Sequence, residues 1–307
     1  MHPLKRLRRS LGRLVGREYA IRLRLLRASL SPSAIRAERR ADVLLISYPK
    51  CGRTWLTMLL ARALARHAGL DEVDYLANDL PGGEGVPRIR ISHDDNPHWK
   101  TARGLAGSKR RYRDKKIILL VRDPRDVVVS MYFERSRRER AYSGTLPEFL
   151  HESRGSLDTI LAYYNVWARE RTRPRGFCLV RYEDLKADAA GELRRILRFT
   201  GLALADEHVE DAVRFASFEN MRAMEMGDVL GSGRLRARDP KDTESFKTRK
   251  AKVGGFVDYL KPEEIAWMEQ KIRETLDPLY GYGEAAKRQP EDRAAQQAPL
   301  AQHGSEV

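Results

Sequence analysis

Residues 43–47 (VLLIS) and 117–121 (IILLV) are short apolar runs, and each gives way to a polar loop that opens a helical pattern. An apolar run of this length, bounded by turn signals, suits a strand covered on both faces. Further strands are predicted over 88–92 and 177–181. Helices are predicted over 54–67, 124–138, 157–171, 189–200 and 261–276, the second with Asp123 as N-cap and Pro124 at its first position. Strands separated by helices pair through crossovers. The pattern therefore predicts an α/β fold, a single domain with a central parallel sheet flanked by helices. Apolar residues make up 42% of the 307, enough for one large core. Two cysteines, Cys51 and Cys178, exclude a disulfide framework and a cysteine-based zinc module. No apolar run approaches the roughly 20 residues that a membrane span needs.

The net charge of +15 points to an anionic partner, but it is unevenly placed. Residues 1–40 hold twelve Lys and Arg against two acids, so ten of the fifteen charges sit there. Leu4, Leu7, Leu11, Leu14, Ile21 and Leu25 fall on one helical stripe among these arginines. The arm reads as a basic amphipathic helix, either packed on its own domain or in peripheral contact with an anionic membrane. An organelle transit peptide is a further reading. Tyr19 is the arm's one aromatic residue, so nucleic acid is not expected as a partner. The main domain is expected over 41–283, and a disordered tail rich in Ala, Gln, Glu and Pro over 284–307.

Three loci carry chemistry. The first is Tyr48-Pro49-Lys50-Cys51-Gly52-Arg53-Thr54-Trp55, where a strand meets a helix. A helix N-terminus offers unpaired N–H groups, Gly52 permits close approach, Lys50 and Arg53 add charge, and Thr54 adds a hydroxyl, which together make an anion cradle. It is neither the NTPase loop nor a cysteine-phosphatase loop, because position 57 is threonine where the latter needs arginine. The second is Arg122, at the end of run 117–121, with Ser130 two turns into the next helix; an Arg fork plus a hydroxyl suits a phosphate monoester. The third is His93, just past strand 88–92, whose ordinary pKa near 6.5 suits a base at neutral pH. His98, Asp94 and Asp95 are the competing groups, and no metal constellation is evident.

The segment Tyr48-Pro49-Lys50-x-Gly52-x-Thr54-Trp55 resembles the 5′-phosphosulfate loop of the cytosolic-type sulfotransferases, which use 3′-phosphoadenosine 5′-phosphosulfate (PAPS). The resemblance spans roughly 42–283 and implies the P-loop-NTPase-like sulfotransferase fold. It implies that Lys50 contacts the phosphosulfate and steadies the leaving phosphate. The backbone and hydroxyl groups of Cys51, Gly52, Arg53 and Thr54 would hold the 5′-phosphate, the Arg53 side chain either adding a phosphate contact or pointing to solvent, and Trp55 would stack near adenine. Arg122 and Ser130, eight apart, match the family's 3′-phosphate pair. Tyr182, in Arg181-Tyr182-Glu183-Asp184-Leu185, matches a Tyr that borders the nucleotide, and Phe218 a Phe that packs on adenine. Arg249-Lys250-Ala251-Lys252-Val253-Gly254 is similar to the Arg-Lys-Gly-x-x-Gly loop that closes over the 3′-phosphate. His93 stands where the family has its catalytic base, after a Pro-Arg-led strand.

Departures from the pattern are Cys51 and Arg53 in the first loop, Ile91 for a frequent Lys, Ala216 for a frequent Thr, and Ala251 for a Gly. The expected activity is transfer of a sulfuryl group from PAPS, without a metal, to a hydroxyl or amine of a small-molecule, glycan, lipid-linked or phenolic acceptor. Segments 78–86, 134–154 and 224–247 are expected to shape the acceptor pocket, and the Arg-rich middle one leans toward an anionic, glycan or lipid-linked acceptor. A nucleotide or small-molecule kinase and a non-catalytic membrane-surface protein are the alternatives. Cytoplasmic placement is expected; the oligomeric state is not legible.

Overall fold

The computed structural model describes Gly16 and residues 19–21, 31–231 and 234–283. The expected tail, 284–307, and most of the arm's apolar stripe lie outside the described residues. Of the arm, helix α1 (Pro32–Arg40) is described; Ser31 caps it by accepting from the Ala34 N–H at 3.2 Å, and Pro32 starts it.

Four strands form one parallel sheet: β1 (Val43–Ser47), β2 (Ile89–Ser92), β3 (Lys116–Val121) and β4 (Gly176–Arg181), in the order β2-β1-β3-β4. Central β1 is buried along its whole length and β3 from Ile117 onward, as continuous apolar runs require when helices cover both faces. The outer strands bury alternate residues only, Ile89 and Ile91 in β2 and Cys178 and Val180 in β4. Leu45 pairs with Ile91 on one side and with Ile118 on the other.

Helix α2 (Arg53–His67) connects β1 toward β2 and buries Leu56 to Ala61 nearly all round. Helix α3 (Pro124–Phe133), the short α4 (Leu146–Leu150) and α5 (Leu157–Glu170) connect β3 to β4. Neighbouring strands β1 and β3 thus send their chains to opposite edges of the sheet. Such a switch point opens a crevice at the strands' carboxyl ends, where open α/β sheets bind ligands.

After β4 come α6 (Tyr182–Ala187), α7 (Ala189–Thr200), α8 (Asp206–Phe215), α9 (Phe218–Gly227) and, after a long loop, α10 (Pro262–Thr275). Asp211 of α8 pins the outer face of α2 by accepting from Arg62 Nε at 2.6 Å and Arg66 Nε at 3.1 Å. Gly201 ends α7 at φ 102°, a left-handed cap that a side chain would strain.

The helix expected over 124–138 is α-helical only to Phe133. Asp123 caps it through the Arg125 N–H at 2.9 Å, and residues Glu134–Arg138 widen into a π turn closed by Glu139 N–H donating to Glu134 O at 2.8 Å. π turns of this kind concentrate at functional sites, and this one faces the crevice.

Candidate active site

A cavity of about 430 Å³ opens at the β1/β3 crevice. Eleven sequence candidates line it: Lys50, Gly52, Arg53, Thr54 and Trp55 after β1, His93 after β2, Arg122 and Ser130 after β3, Tyr182 after β4, and Phe218 and Arg249 beyond, with Lys250 beside Arg249 as the twelfth. Their sequence separation spans two hundred residues, and the parallel sheet is what gathers them. Cys51 is the exception. Its thiol is fully buried, lies 3.3 Å from the Tyr164 hydroxyl, and is pushed up to about 12 by burial, so the side chain faces the core and only the backbone of Cys51 is left to face an anion.

At the first anion loop, Lys50 holds φ 73° and Gly52 φ 92°, both left-handed. Gly52 is obligatory for a second reason: a Cβ there would meet the Tyr182 ring at 2.5 Å. Tyr182 packs edge-on against Trp55, ring centroids 5.7 Å apart, and the Arg122 guanidinium lies 4.4 Å over its face. Trp55 and Tyr182 thus present a joined aromatic wall to the cavity, which Phe218 also lines.

Arg122 donates through Nη2 to Asp126 (3.1 Å) and to the Lys252 carbonyl (2.8 Å), while its buried Nε finds no partner among the described residues. Asp126 also accepts from the N–H groups of Gly254 (2.9 Å) and Phe256 (3.0 Å). One carboxylate therefore ties the 249–254 loop to the start of α3. Within that loop Ala251 takes φ 49°, the conformation a glycine would adopt freely. Arg249 is engaged by Glu244 (2.8 Å) and stacks over Phe133, and Lys250 pairs with Asp258.

The base end is set by tautomer. His93 Nδ1 lies 3.0 Å from the Ser47 carbonyl, which can only accept, so Nδ1 carries the proton and Nε2 is left with its lone pair. Burial, then Arg53 and His98, hold the imidazole well below its usual range, and it is neutral at pH 7. That is the protonation state of a general base.

The competing groups are otherwise occupied. Asp94 is fully buried, accepting from Lys109 Nζ, Arg111 Nη2 (2.6 Å), the Tyr112 hydroxyl (2.8 Å) and Trp167 Nε1 (3.1 Å). Asp95 pairs with Lys100. His98 lines the cavity behind His93, with ring centroids 6.2 Å apart, and burial lowers it to about 3.

Beyond His93 the cavity is charged. Lys50 Nζ donates to Glu134 at 2.6 Å. Burial alone would raise Glu134, but Lys50, Lys247 and Arg138 outweigh it and hold the carboxyl at about 2. Glu134 and Glu139 come from the expected segment 134–154, and Leu235 and Lys247 from 224–247, whereas 78–86 supplies no lining residue. Ile91, where the family often has Lys, is buried in the core, and Ala216 lines the cavity. Sequence reasoning named none of Glu134, Glu139 or Lys247 individually. Their one sequence signal was charge inside segments already expected to shape a pocket.

The arrangement can cradle two anionic groups around an aromatic slot and take a proton beside them. The family model described as Sulfotransferase domain matches residues 40–279. Cytosolic sulfotransferase 16 of Arabidopsis thaliana is 27% identical, with 77% of this chain and 78% of the relative covered. Amine sulfotransferase of Oryctolagus cuniculus is 28% identical, with 78% and 81% covered. Among solved structures, a mouse sulfotransferase complexed with PAP has a TM-score of 0.55 at 20% identity, covering 77% of this chain and 84% of its own. Retinol dehydratase in a complex with retinol and PAP has a TM-score of 0.56 at 19% identity, covering 82% and 84%. The fold is shared with these structures, and the chain belongs to the sulfotransferase domain family.

Proposed function

We propose that this chain moves the sulfuryl group of PAPS onto a hydroxyl or amine of its acceptor. The bond between sulfur and the 5′-phosphate oxygen breaks, a bond between sulfur and the acceptor atom forms, and PAP departs. The acceptor proton passes to His93 Nε2 and from there to water. One observation carries this reading: the loops after β1 and β3 and a neutral imidazole after β2 open into a single cavity. Solved relatives complexed with PAP support the donor.

Lys50 exchanges Glu134 for the leaving 5′-phosphate, whose charge grows as the loose transition state forms. The N-terminus of α2, with Gly52 and Thr54, holds the same phosphate. Arg122 and Ser130 bind the 3′-phosphate, with Arg249 and Lys250 above it, and Trp55, Tyr182 and Phe218 enclose the adenine. Calorimetry with PAP and with ATP–Mg²⁺ tests the donor: PAP should bind and ATP should not. Lys50→Ala and His93→Ala should each lower turnover of PAPS by about 10²–10⁴-fold. Near-normal rates in both, or binding of ATP in place of PAP, would overturn the assignment.

Cytoplasmic placement belongs to the same proposal. Relatives named cytosolic support it, and among the described residues no helix is long and apolar enough to cross a membrane. Contact of residues 1–40 with an anionic membrane rests on their sequence, and liposome sedimentation with and without them tests it.

A further inference from the structure

Arg53 is the first residue of α2. His93, His98 and Lys247, whose charge it influences, line the same cavity. It lines the cavity and makes no hydrogen bond or ion pair among the described residues. Lys247 lines the same cavity, and its Nζ also makes no hydrogen bond or ion pair among the described residues. A guanidinium offers five donors in a planar fork and stays charged in any aqueous environment. Holding it half-buried and unpaired beside another cation is costly unless something of opposite charge arrives.

The carboxylates of the recess do not fill that role. Glu134 is already committed to Lys50 and to Arg138, 3.6 Å from its Nε. Glu139 lines the cavity with Oε2 buried and unpaired among the described residues. Burial, then Glu134, lift its carboxyl to about 7, so near neutrality much of it is a neutral acid that can donate a hydrogen bond. Lys247 is brought down to about 7 by burial, and an anion bound beside it would restore its charge.

We propose that the acceptor carries an anionic group, a carboxylate, sulfate or phosphate, close to the atom that receives the sulfuryl group, and that Arg53 with Lys247 recognises it. This rests on the sulfuryl-transfer reading above and adds a substrate class to it. Arg53 is then a specificity residue: it faces the acceptor while the rest of its loop faces the donor.

The test uses the full chain, PAPS and a matched pair of phenols, 4-methylphenol and 4-hydroxyphenylacetate, with 4-hydroxyphenyl phosphate as a second anionic probe. Wild-type kcat/KM should favour the anionic phenols by at least about tenfold. R53M should cut that ratio by about tenfold, the size expected for one charge-assisted pair, and K247M should also lower it. The ratio is the readout, so a general loss of rate does not imitate the effect, and K247M serves if R53M does not fold. A preference for the neutral phenol, turnover of neither anionic phenol, or a preference that survives both variants overturns the proposal. So does an equal slowing of all three phenols by R53M, which would place Arg53 on the sulfuryl group itself. Failure to bind PAP in calorimetry would overturn instead the donor reading beneath it.

Discussion

Replacing Asp94 with alanine should be among the most destabilising single changes available in this chain. The Asp94 carboxylate is 0% exposed and Lys109, its partner, 3%. Two further donors, the Tyr112 hydroxyl and Trp167 Nε1, end on the same group, and its own N–H donates to Ser92 Oγ at 3.0 Å. Breaking a buried pair strands the remaining charge, at about 3–5 kcal/mol. In a domain of about 240 residues that corresponds to a fall in Tm of about 10 °C. Arg111, half exposed, adds little to this figure.

The consequence reaches the site, because Asp94, Asp95 and Asn96 run at φ 50°, 74° and 51° immediately after His93. Three left-handed non-glycine residues in a row are strained, and the Asp94 anchor holds them in place. Burial would raise the Asp94 carboxyl, but Lys109 and Arg111 outweigh it and keep it below the usual range. Its stabilisation is therefore complete above about pH 4 and is lost as the pH falls through the lowered value. Thermal melts of Asp94→Ala, Lys109→Met and the double variant Asp94→Leu/Lys109→Met decide the matter. Apolar replacement of both partners should recover most of the loss. A fall of less than about 3 °C for Asp94→Ala, or a double variant no better than the single, would refute the reasoning.

Other outcomes follow from the cavity. Gly52→Ala should weaken PAP binding at least tenfold in calorimetry, since its Cβ would displace Tyr182 and its φ of 92° disfavours a side chain; unchanged affinity would contradict the packing. With a neutral phenol as acceptor, kcat/KM should hold constant from pH 8 down to 6.5, because depression of His93 keeps the base form populated there. An acid limb centred at or above 6.5 would count against His93, and Arg53→Met should move the limb upward, since Arg53 follows burial as a cause of the depression. Glu134→Gln should tighten PAP binding about five- to thirtyfold by freeing Lys50 from its 2.6 Å partner, and weaker binding would show that Glu134 positions the lysine instead.

The locally encoded features were readable in advance. The runs at 43–47 and 117–121 became the two central strands, Asp123-Pro124 capped α3, and Gly201 ended α7, because burial on both faces, capping and left-handed glycine each act within a few residues. The strand–helix junctions that line the cavity were legible for the same reason: anion cradles form where a strand runs into a helix, so Lys50, Gly52, Thr54 and Arg122 announce themselves in short stretches of sequence.

The rest depends on contacts between distant segments. The strand order β2-β1-β3-β4 decides that the loops after β1 and β3 share a crevice, and no single segment encodes that neighbourhood. Lys50 finds Glu134, eighty-four residues away, because α3 widens into a π turn above the sheet. Cys51 and Arg53 stand two residues apart, yet the Cys51 thiol turns into the core, against the Tyr164 hydroxyl of α5, while Arg53 lines the cavity. The sequence by itself determined that this chain presents anion-binding strand–helix junctions on an α/β sheet. Only the tertiary structure decided which charges remain without a partner once the chain is folded, because pairing is settled by long-range packing. Those unpaired charges, Arg53 foremost, are the groups we propose the acceptor meets.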